Sequence, residues 1–502
     1  GYDPVTGNSA MPVPKDPGNG EGFKYSDLVS YANAMDQLSG QEIEENRFAS
    51  FYGALDYSLF DRYVLNVSFR TDGSNNFGSD EQFNPTWSAG AVWHVSEETF
   101  MEVVRPVLSR LSLRVATGYT GNINKTVKPN LMMKYYKNFR ISDDENYRMG
   151  YINNAPNPKL RWEKTRDVKV ALDFGLWKDR INGIVEAYWR KSKDCVTSEY
   201  VPVTTGFFNQ SYNTSVLQNN GVEFSLSVAV LKSKDYNLSV SANVAWNQNK
   251  LKKYNSPNTS LALDKYVGYP MGAVFSGKYE GIDPETGMYK FKLRPDAVTN
   301  KDGYLREPNN YYYYLGTSVA PFTGGFNLNF SYKNIGLSVG GSYSVKAKMV
   351  DNIESPAGYE LLSGSKLESI PTPHNDLYRN HLNVKREVRN RWTPENRTGV
   401  KYPRLIDAYG KKLGLDLTNP TLTTITRGAL LEDISYLRIN TIALSYSLPQ
   451  RVLERINFSS AALNLTLNNF FTITKYSGID PEVPGATYPV SRSVTIGLNV
   501  GF

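Results

Sequence analysis

The sequence predicts an all-β protein, a transmembrane antiparallel β-barrel to which these residues contribute about fifteen strands. Three observations lead to this prediction. Apolar and polar side chains alternate in segments that often run for about nine residues or more. Short and long connections between the segments alternate along the chain. Tyrosine or tryptophan stands near the ends of the apolar stripes, as in the aromatic girdles of outer-membrane barrels.

The alternation gives each segment one apolar and one polar face, because successive side chains of a strand point to opposite sides. The apolar positions of four such segments are Tyr63, Leu65, Val67 and Phe69; Leu238, Val240, Ala242, Val244 and Trp246; Phe326, Leu328, Phe330 and Tyr332; and Val494, Ile496, Leu498, Val500 and Phe502. A soluble β-sandwich would alternate in the same way, but its strands usually run for about five or six residues. Crossing a bilayer at a tilt requires about nine to eleven residues, so strand length favours the barrel.

The connections define the two ends of the predicted barrel. Short turns are predicted at residues 60–62, 178–180, 232–235 and 333–334, and long polar loops at residues 71–85, 120–162, 192–213, 247–270, 294–321, 350–430 and 476–489. Short turns are typical of the periplasmic side and long loops of the extracellular side. The predicted strands begin near Phe48, Arg62, Thr86, Leu108, Thr165, Arg180, Ser215, Tyr236, Gly272, Gly287, Thr323, Ile335, Tyr436, Phe458 and Ser491.

This odd number of strands places residues 1–46 in an extracellular loop segment and residues 47–502 in the barrel. Single-chain bacterial barrels have an even number of strands, so we expect further strands before Gly1. No signal peptide is visible at Gly1, which indicates that it has been removed or that the chain begins within a longer protein.

Composition excludes several other classes of protein. The 502 residues contain no run of about eighteen apolar residues, so a transmembrane helix is not expected. The net charge is +7, and the 56 basic and 49 acidic residues are interspersed, which argues against a nucleic-acid partner. The single cysteine, Cys195, excludes an internal disulfide framework.

Several stretches of the chain resemble one known family. They include Asp61 to Phe77 (DRYVLNVSFRTDGSNNF), Trp87 to Met101 (WSAGAVWHVSEETFM), Asn157 to Asp173 (NPKLRWEKTRDVKVALD), Leu437 to Leu448 (LRINTIALSYSL), Gly478 to Glu482 (GIDPE) and Ser493 to Phe502 (SVTIGLNVGF). These residues resemble the SusC/RagA-type family of TonB-dependent outer-membrane transporters. The resemblance covers nearly the whole chain and keeps its order.

The resemblance implies a 22-stranded barrel, of which this chain is the C-terminal part. It implies import of oligomeric nutrients, either glycans or oligopeptides, across the outer membrane of a Gram-negative bacterium. The implied partners are the membrane lipid, the TonB complex and a SusD-like surface lipoprotein that acts as a lid, with a dimer of transporter–lipoprotein pairs as one possible assembly. The plug domain, the TonB box and roughly the first seven strands of the family are not present in this sequence.

Aromatic residues in two long loops are the candidate ligand or lid contacts. Tyr311, Tyr312, Tyr313 and Tyr314 form a run of four, and Trp392 and Tyr402 belong to the longest predicted loop. Aromatic faces can stack on sugar rings or on peptide side chains at little cost in conformational entropy. The alternative is that these rings pack against neighbouring loops or against the lipoprotein.

The sequence favours no catalytic or metal site, and it implies no cofactor. The three histidines lack zinc-type spacing. Asp72 and Asp80 are weak candidates for a calcium loop, but the full ligand pattern is absent, so structural turns are favoured. We therefore expect a protein that is not an enzyme. The alternatives are a passive porin or secretion channel without energy coupling, an outer-membrane protease or lipase, and a soluble β-sandwich adhesin.

Overall fold

The computed structural model describes residues 46–122, 127, 129–130, 132–136, 149–207, 209–254, 266–285, 287, 289–297, 310–350, 389–400, 427–484 and 488–502. Its strands are β1 (Phe48–Leu59), β2 (Tyr63–Ser74), β3 (Phe83–His94), β4 (Leu108–Asn122), β5 (Met132–Tyr136), β6 (Met149–Asn154), β7 (Glu163–Leu176), β8 (Ile181–Tyr200), β9 (Asn209–Lys232), β10 (Tyr236–Lys253), β11 (Ala273–Gly277), β12 (Tyr279–Ile282), β13 (Tyr289–Phe291), β14 (Tyr312–Thr317), β15 (Phe322–Tyr332), β16 (Ile335–Val345), β17 (Lys348–Val350), β18 (Leu431–Asp433), β19 (Tyr436–Ser447), β20 (Ser460–Thr474) and β21 (Ser493–Gly501).

In the described residues, helical structure is confined to short pieces. The α-helix α1 spans Gln450–Arg455, and 3₁₀ turns span Val95–Glu97, Thr99–Met101, Val203–Thr205 and Arg427–Leu430. Among the described residues, no helix has the length and apolar character that crossing a membrane would demand.

Thirteen strands form one antiparallel sheet in the order β1-β2-β3-β4-β7-β8-β9-β10-β15-β16-β19-β20-β21. Sequential strands of this sheet are neighbours, so it is an up-and-down meander. The other described strands form four two-stranded sheets, β5-β6, β11-β14, β12-β13 and β17-β18, which belong to the connections. Most strands of the large sheet begin within about three residues of the expected position.

The expected count of about fifteen strands is corrected to thirteen for the large sheet. The segments predicted to start near Gly272 and Gly287 do not enter it, because β10 pairs directly with β15. Glycines with positive φ, at Gly268 (92°), Gly281 (122°) and Gly287 (71°), interrupt this part of the chain and keep its strands short. Thirteen is also odd, so β1 and β21 still run in the same direction.

The loop expected at residues 192–213 is also corrected. Strand β8 continues to Tyr200 and β9 begins at Asn209, so both strands extend past the predicted boundary. A β-bulge between Ser192 and Cys195, with Asp194 at a φ of 59°, breaks the alternation at that point. The irregular register explains why the period-two pattern of the sequence ends too early.

The two faces of the sheet differ in polarity as predicted. Across six neighbouring strands, one row of opposed residues is Val240, Leu328, Val339, Ile442, Leu467 and Val494, and the adjacent row on the other face is Ser241, Asn327, Gly340, Thr441, Asn468 and Ser493. The apolar face is exposed, with Ile496 at 72% and Leu65 at 44%. A sandwich would bury this face, whereas a barrel turns it towards lipid, so the fold is that of a barrel wall.

The short turns gather at one end of the sheet and the long loops at the other. Strands β1 and β2 are joined by Phe60 and Asp61 with φ of 53° and 55°, and β15 and β16 by a turn with Lys333 at a φ of 48°. Left-handed residues suit such tight hairpins because their backbone twist matches that of the strands. Residues 1–45 lie outside the described residues, so the extracellular position expected for residues 1–46 stays a prediction.

Candidate functional site

Loops from three hairpins pack together at the long-loop end of the sheet, and we call this the loop layer. It comprises residues 266–285, 289–297, 310–321, 346–350, 389–400, 427–435 and 475–484. Its small core contains Ala347, Ile434 and Tyr476, with Ala320 and Met349 packed against it. The Ser477 hydroxyl donates to a carboxylate oxygen of Glu432 at 2.8 Å, so the last two long connections are joined directly.

Four aromatic rings of the loop layer form one cluster. The ring centroid of Phe275 lies 5.0 Å from Tyr266, 4.9 Å from Tyr269 and 5.7 Å from Tyr314, and Tyr269 lies 4.9 Å from Tyr314. These tilted and edge-on contacts are the arrangements that aromatic pairs prefer. Tyr269 and Tyr314 remain exposed by 37% and 42%. The cluster therefore combines a rigid base with two accessible rings.

The tyrosine run does not present one continuous aromatic platform. Residues 312–314 belong to β14, so successive rings point to opposite sides of the strand. The Tyr313 hydroxyl donates to the Leu293 carbonyl at 2.8 Å, and Lys278 Nζ lies 5.9 Å from its ring centroid. Tyr311 and Tyr312 are half-buried, and Tyr314 belongs to the exposed edge of the aromatic cluster. Of the four, Tyr314 has the most exposed ring.

Trp392 anchors one segment of the longest connection. Its side chain is buried, and its indole Nε1 donates to the Pro284 carbonyl at 2.9 Å. Pro284 belongs to the turn between β12 and β13, in which the Glu285 amide donates to the Asp283 carboxylate at 2.8 Å. This geometry suits packing between loops better than stacking on a ligand. Tyr402, its companion in the sequence prediction, lies outside the described residues.

A buried ion cluster attaches the β20–β21 loop to the wall. Arg438 on β19 is 2% exposed and Asp480 is 6% exposed, and the Arg438 guanidinium pairs with the carboxylates of Asp480 and Glu482, the latter at 3.0 Å. Asp480 also accepts the backbone amides of Glu482 at 2.9 Å and Val490 at 3.2 Å. Sequence reasoning missed this cluster, although a lone arginine in the strand LRINTIALSYSL is a signal that could have found it.

A second group of loops packs over β2 to β9. The rings of Phe77 and Trp162 stack with centroids 4.5 Å apart, and the Gly78 amide donates to the Leu160 carbonyl at 2.9 Å. Arg161 and Asp194 form an ion pair at 2.6 Å, which raises the pKa of the Arg161 guanidinium through a hydrogen bond to the carboxylate. The loops at this end of the sheet therefore contact and stabilise one another.

The two weak calcium candidates occupy different environments. The Asp72 carboxylate accepts from Arg70 Nε at 2.7 Å and from the Ser50 hydroxyl at 2.5 Å, while the Asp80 carboxylate accepts from the Ser79 hydroxyl at 3.0 Å. The ion pair with Arg70 already balances the charge of Asp72. Within the described ranges, no group of three or more His, Cys, Asp and Glu residues could hold a metal ion.

The polar face of the sheet has a sector of partly exposed ion pairs and, on other strands, a row without charged residues. On β4, β7 and β8, ion pairs join Arg114 to Asp173 at 2.6 Å, Lys169 to Glu186 at 3.3 Å, and Arg190 to Asp167 at 2.9 Å. The row from Ser241 to Ser493 described above carries only amide, hydroxyl and glycine groups. The wall therefore offers an ionic surface on one side and a hydrogen-bonding surface on the other.

One serine–histidine contact lies on this face. His94 Nδ1 and the Ser112 hydroxyl are 3.0 Å apart, and Asp173 stands opposite Ser112 on the next strand. In a hydrolytic triad the histidine lies between the serine and the acid. Here the serine lies between them, and Asp173 is engaged by Arg114. The geometry does not match that of a serine hydrolase.

Comparison with known proteins agrees with this architecture. Residues 14–365 match the family model described as TonB dependent receptor-like, beta-barrel. The TonB-dependent receptor SusC of Bacteroides thetaiotaomicron is 27% identical over 488 residues, which cover 91% of this chain and 44% of that receptor. A TonB-dependent receptor of Formosa agariphila is 26% identical over 498 residues, covering 91% of this chain and 46% of the receptor.

Among solved structures, that of the RagAB peptide transporter superposes with a TM-score of 0.72 at 26% identity, covering 91% of this chain and 48% of the matched chain. The chain thus spans less than half the length of each of these proteins. The family match extends over more than half of the 502 residues. The chain belongs to the TonB-dependent receptor-like β-barrel family.

Proposed function

We propose that this chain forms wall and outer loops of a TonB-dependent transporter that imports oligomeric nutrients across the outer membrane of a Gram-negative bacterium. The exposed apolar face of the large sheet carries this proposal. Soluble proteins rarely expose contiguous apolar surface on this scale, whereas an outer-membrane barrel requires it. The polar face would line the lumen.

The loop layer is the proposed ligand-binding side. The accessible rings of Tyr269 and Tyr314 can stack on sugars or on peptide side chains, and their shared base with Phe275 limits the entropy lost on binding. Burial raises the pKa of the Tyr314 hydroxyl, so the ring stays neutral at physiological pH. Glycan and oligopeptide are both compatible with such a surface.

A SusD-like surface lipoprotein is the proposed lid over these loops, and the TonB complex is the proposed energy source. The similarity to SusC and to the RagAB peptide transporter supports both partners. In this mechanism the loops and the lid enclose the oligomer, and TonB-driven displacement of a plug releases it inward. No covalent chemistry is needed, which agrees with a transporter family rather than an enzyme.

Uptake measurements in the native bacterium test the proposal. Cells are grown on defined glycan or oligopeptide mixtures, and uptake is compared between wild type, a strain without functional TonB and a strain without the proposed SusD-like lipoprotein. We expect uptake of one ligand class to stop in both mutant strains. Uptake that persists without TonB would identify a passive porin or secretion channel and overturn the energy-coupled mechanism.

A further inference from the structure

A groove with an almost wholly apolar lining crosses the apolar face of β1 to β4. Its volume is about 280 Å³, and its walls include Tyr57, Leu59, Leu65, Ala91, Trp93 and Leu113. It lies near the short-turn end, because Leu59 is the last residue of β1 and Trp93 is the penultimate residue of β3. If the barrel crosses the membrane as proposed above, the groove faces the periplasmic leaflet.

The strand register explains the groove. Ala91 stands between Leu65 on β2 and Val115 on β4, so a single methyl group separates two larger side chains. In the next row towards the turns, Trp93 stands between Tyr63 and Leu113. The small residue makes a depression, and the indole closes it at the end that faces the turns.

A polar cluster lies at this closed end. The Tyr63 hydroxyl and the Trp93 indole Nε1 donate to Glu98 Oε1 at 2.5 and 3.0 Å, and Arg62 Nη1 donates to Glu98 Oε2 at 3.2 Å. Glu98 is therefore engaged by three donors. The Arg62 side chain remains 37% exposed, and a guanidinium has five N–H donors in a fork that matches phosphate.

We propose that this groove binds one phospholipid of the periplasmic leaflet. An acyl chain would occupy the apolar groove over Ala91, and the lipid phosphate would contact Arg62. The ion pair with Glu98 engages Nη1 of Arg62, and the exposed remainder of the guanidinium fork can donate hydrogen bonds to a lipid phosphate at the end of the alkyl channel. The inference rests on the proposed transmembrane barrel, and it adds a defined lipid site to a surface that otherwise contacts bulk lipid.

Quenching of tryptophan fluorescence tests the site directly. The protein is placed in lipid nanodiscs that contain increasing fractions of phosphatidylglycerol with brominated acyl chains, which quench an indole on contact. The Trp93 signal is obtained as the difference between wild type and Trp93→Phe. The signal of Trp246, a 37% exposed residue on the apolar face of β10, is obtained in the same way from Trp246→Phe and reports bulk lipid.

We expect Trp93 to be quenched at a much lower fraction of brominated lipid than Trp246. Ala91→Leu fills the groove and should raise the half-quenching fraction for Trp93 at least about tenfold. Arg62→Gln should also raise the half-quenching fraction for Trp93, although it leaves the lining of the groove unchanged. Ala242→Leu is the matched control on the apolar face of β10 and should leave the Trp93 curve unchanged.

Two adverse outcomes are distinguishable. If Trp93 and Trp246 are quenched in parallel, in wild type and in Ala91→Leu alike, the groove holds no specific lipid and this inference is wrong, while the barrel stands. If neither indole is quenched at any fraction, the apolar face does not meet lipid. The proposed transport function would then fail together with the lipid site.

Discussion

Arg438 and Asp480 form a buried ion pair across 42 residues of sequence, and the pair fastens the β20–β21 loop to the polar face of β19. Both side chains are almost fully buried, and the carboxylate also binds two backbone amides of its own loop. Removal of one partner would leave a buried charge without compensation, which makes this pair a sensitive point in the loop layer.

Arg438→Met should destabilise the protein by about 3–5 kcal/mol, the usual cost of breaking a buried ion pair on one side. The measurement is the free energy of unfolding in detergent, together with proteolysis of the loop around Asp480. The double variant Arg438→Met/Asp480→Asn should recover part of the loss. Arg294→Met breaks an exposed pair with Asp296 and serves as the control. If Arg438→Met and Arg294→Met lower the free energy of unfolding equally, Arg438 does not anchor the loop.

Trp392→Phe should lower the stability of the loop layer slightly, and Trp392→Ala should lower it more. Trp392→Phe removes the hydrogen bond to the Pro284 carbonyl, which is worth about 1 kcal/mol, while Trp392→Ala also removes a buried ring at about 3–5 kcal/mol. Limited proteolysis near residues 389–400 should follow the same order. If Trp392→Ala instead abolishes ligand binding without increasing proteolysis, the indole is a ligand contact and not an anchor.

Tyr314→Ala should weaken ligand binding by about tenfold, because it removes the most exposed ring of the aromatic cluster. Tyr314→Phe should retain most of the affinity, since the ring contacts with Tyr269 and Phe275 persist. Tyr313→Phe is the neighbouring control and loses only the hydrogen bond to Leu293. Binding of glycan and oligopeptide ligands by calorimetry distinguishes the variants. Unaltered affinity in Tyr314→Ala would assign the cluster to loop packing.

The ionisation of Glu98 should make the stability of the folded protein depend on pH in the acid range. Hydrogen bonds from Tyr63 and Trp93, and then the charge of Arg62, lower the pKa of the Glu98 carboxyl below its ordinary value of 4.5. A lowered pKa in the folded state contributes stability that is present above pH 4.5 and is lost as the pH falls through the folded-state pKa. Thermal unfolding as a function of pH should show this loss in wild type. In Glu98→Gln, the unfolding temperature should fall less steeply as the pH decreases. Identical slopes in the variant and in wild type would show that Glu98 is not the cause of the acid-side loss.

Gly428→Ala should disturb the loop layer. An added Cβ at this position would lie 1.8 Å from the Gly277 carbonyl oxygen, so the turn at Arg427–Leu430 would have to move away from β11. We expect a loss of about 1–3 kcal/mol, as for other overpacked sites. Gly497→Ala, where the added Cβ meets no atom within 4 Å, is the control. If Gly428→Ala is as stable as wild type and its loops are cleaved at the same rate, the turn can move away from the Gly277 carbonyl at little cost in free energy.

The wall of the barrel was predictable because its physical cause is local. Period-two alternation requires only neighbouring residues, so strands such as Ile335–Val345 and Tyr436–Ser447 begin where the sequence predicts. Tight turns are equally local, as at Lys333. The pattern failed where bulges or left-handed glycines interrupt it, around Cys195 and around Gly281.

The loop layer was predictable only as a set of candidate residues. The sequence singled out Tyr314 and Trp392 for their chemistry, but it held no information on which ring would face solvent. That difference depends on contacts between distant segments, such as Trp392 with Pro284 at a separation of 108 residues. Long-range contacts of this kind arise when loops collapse onto one another and leave little trace in local periodicity.

The division of the polar face into two sectors also predicts how the wall responds to ionic strength. The ion pairs on β4, β7 and β8 are partly exposed, so dissolved salt screens them and weakens their attraction. The row from Ser241 to Ser493 has no net charge for salt to screen. A charged solute should therefore bind the ion-paired sector more weakly as the salt concentration rises. The affinity of an uncharged solute for the uncharged row should change little with salt.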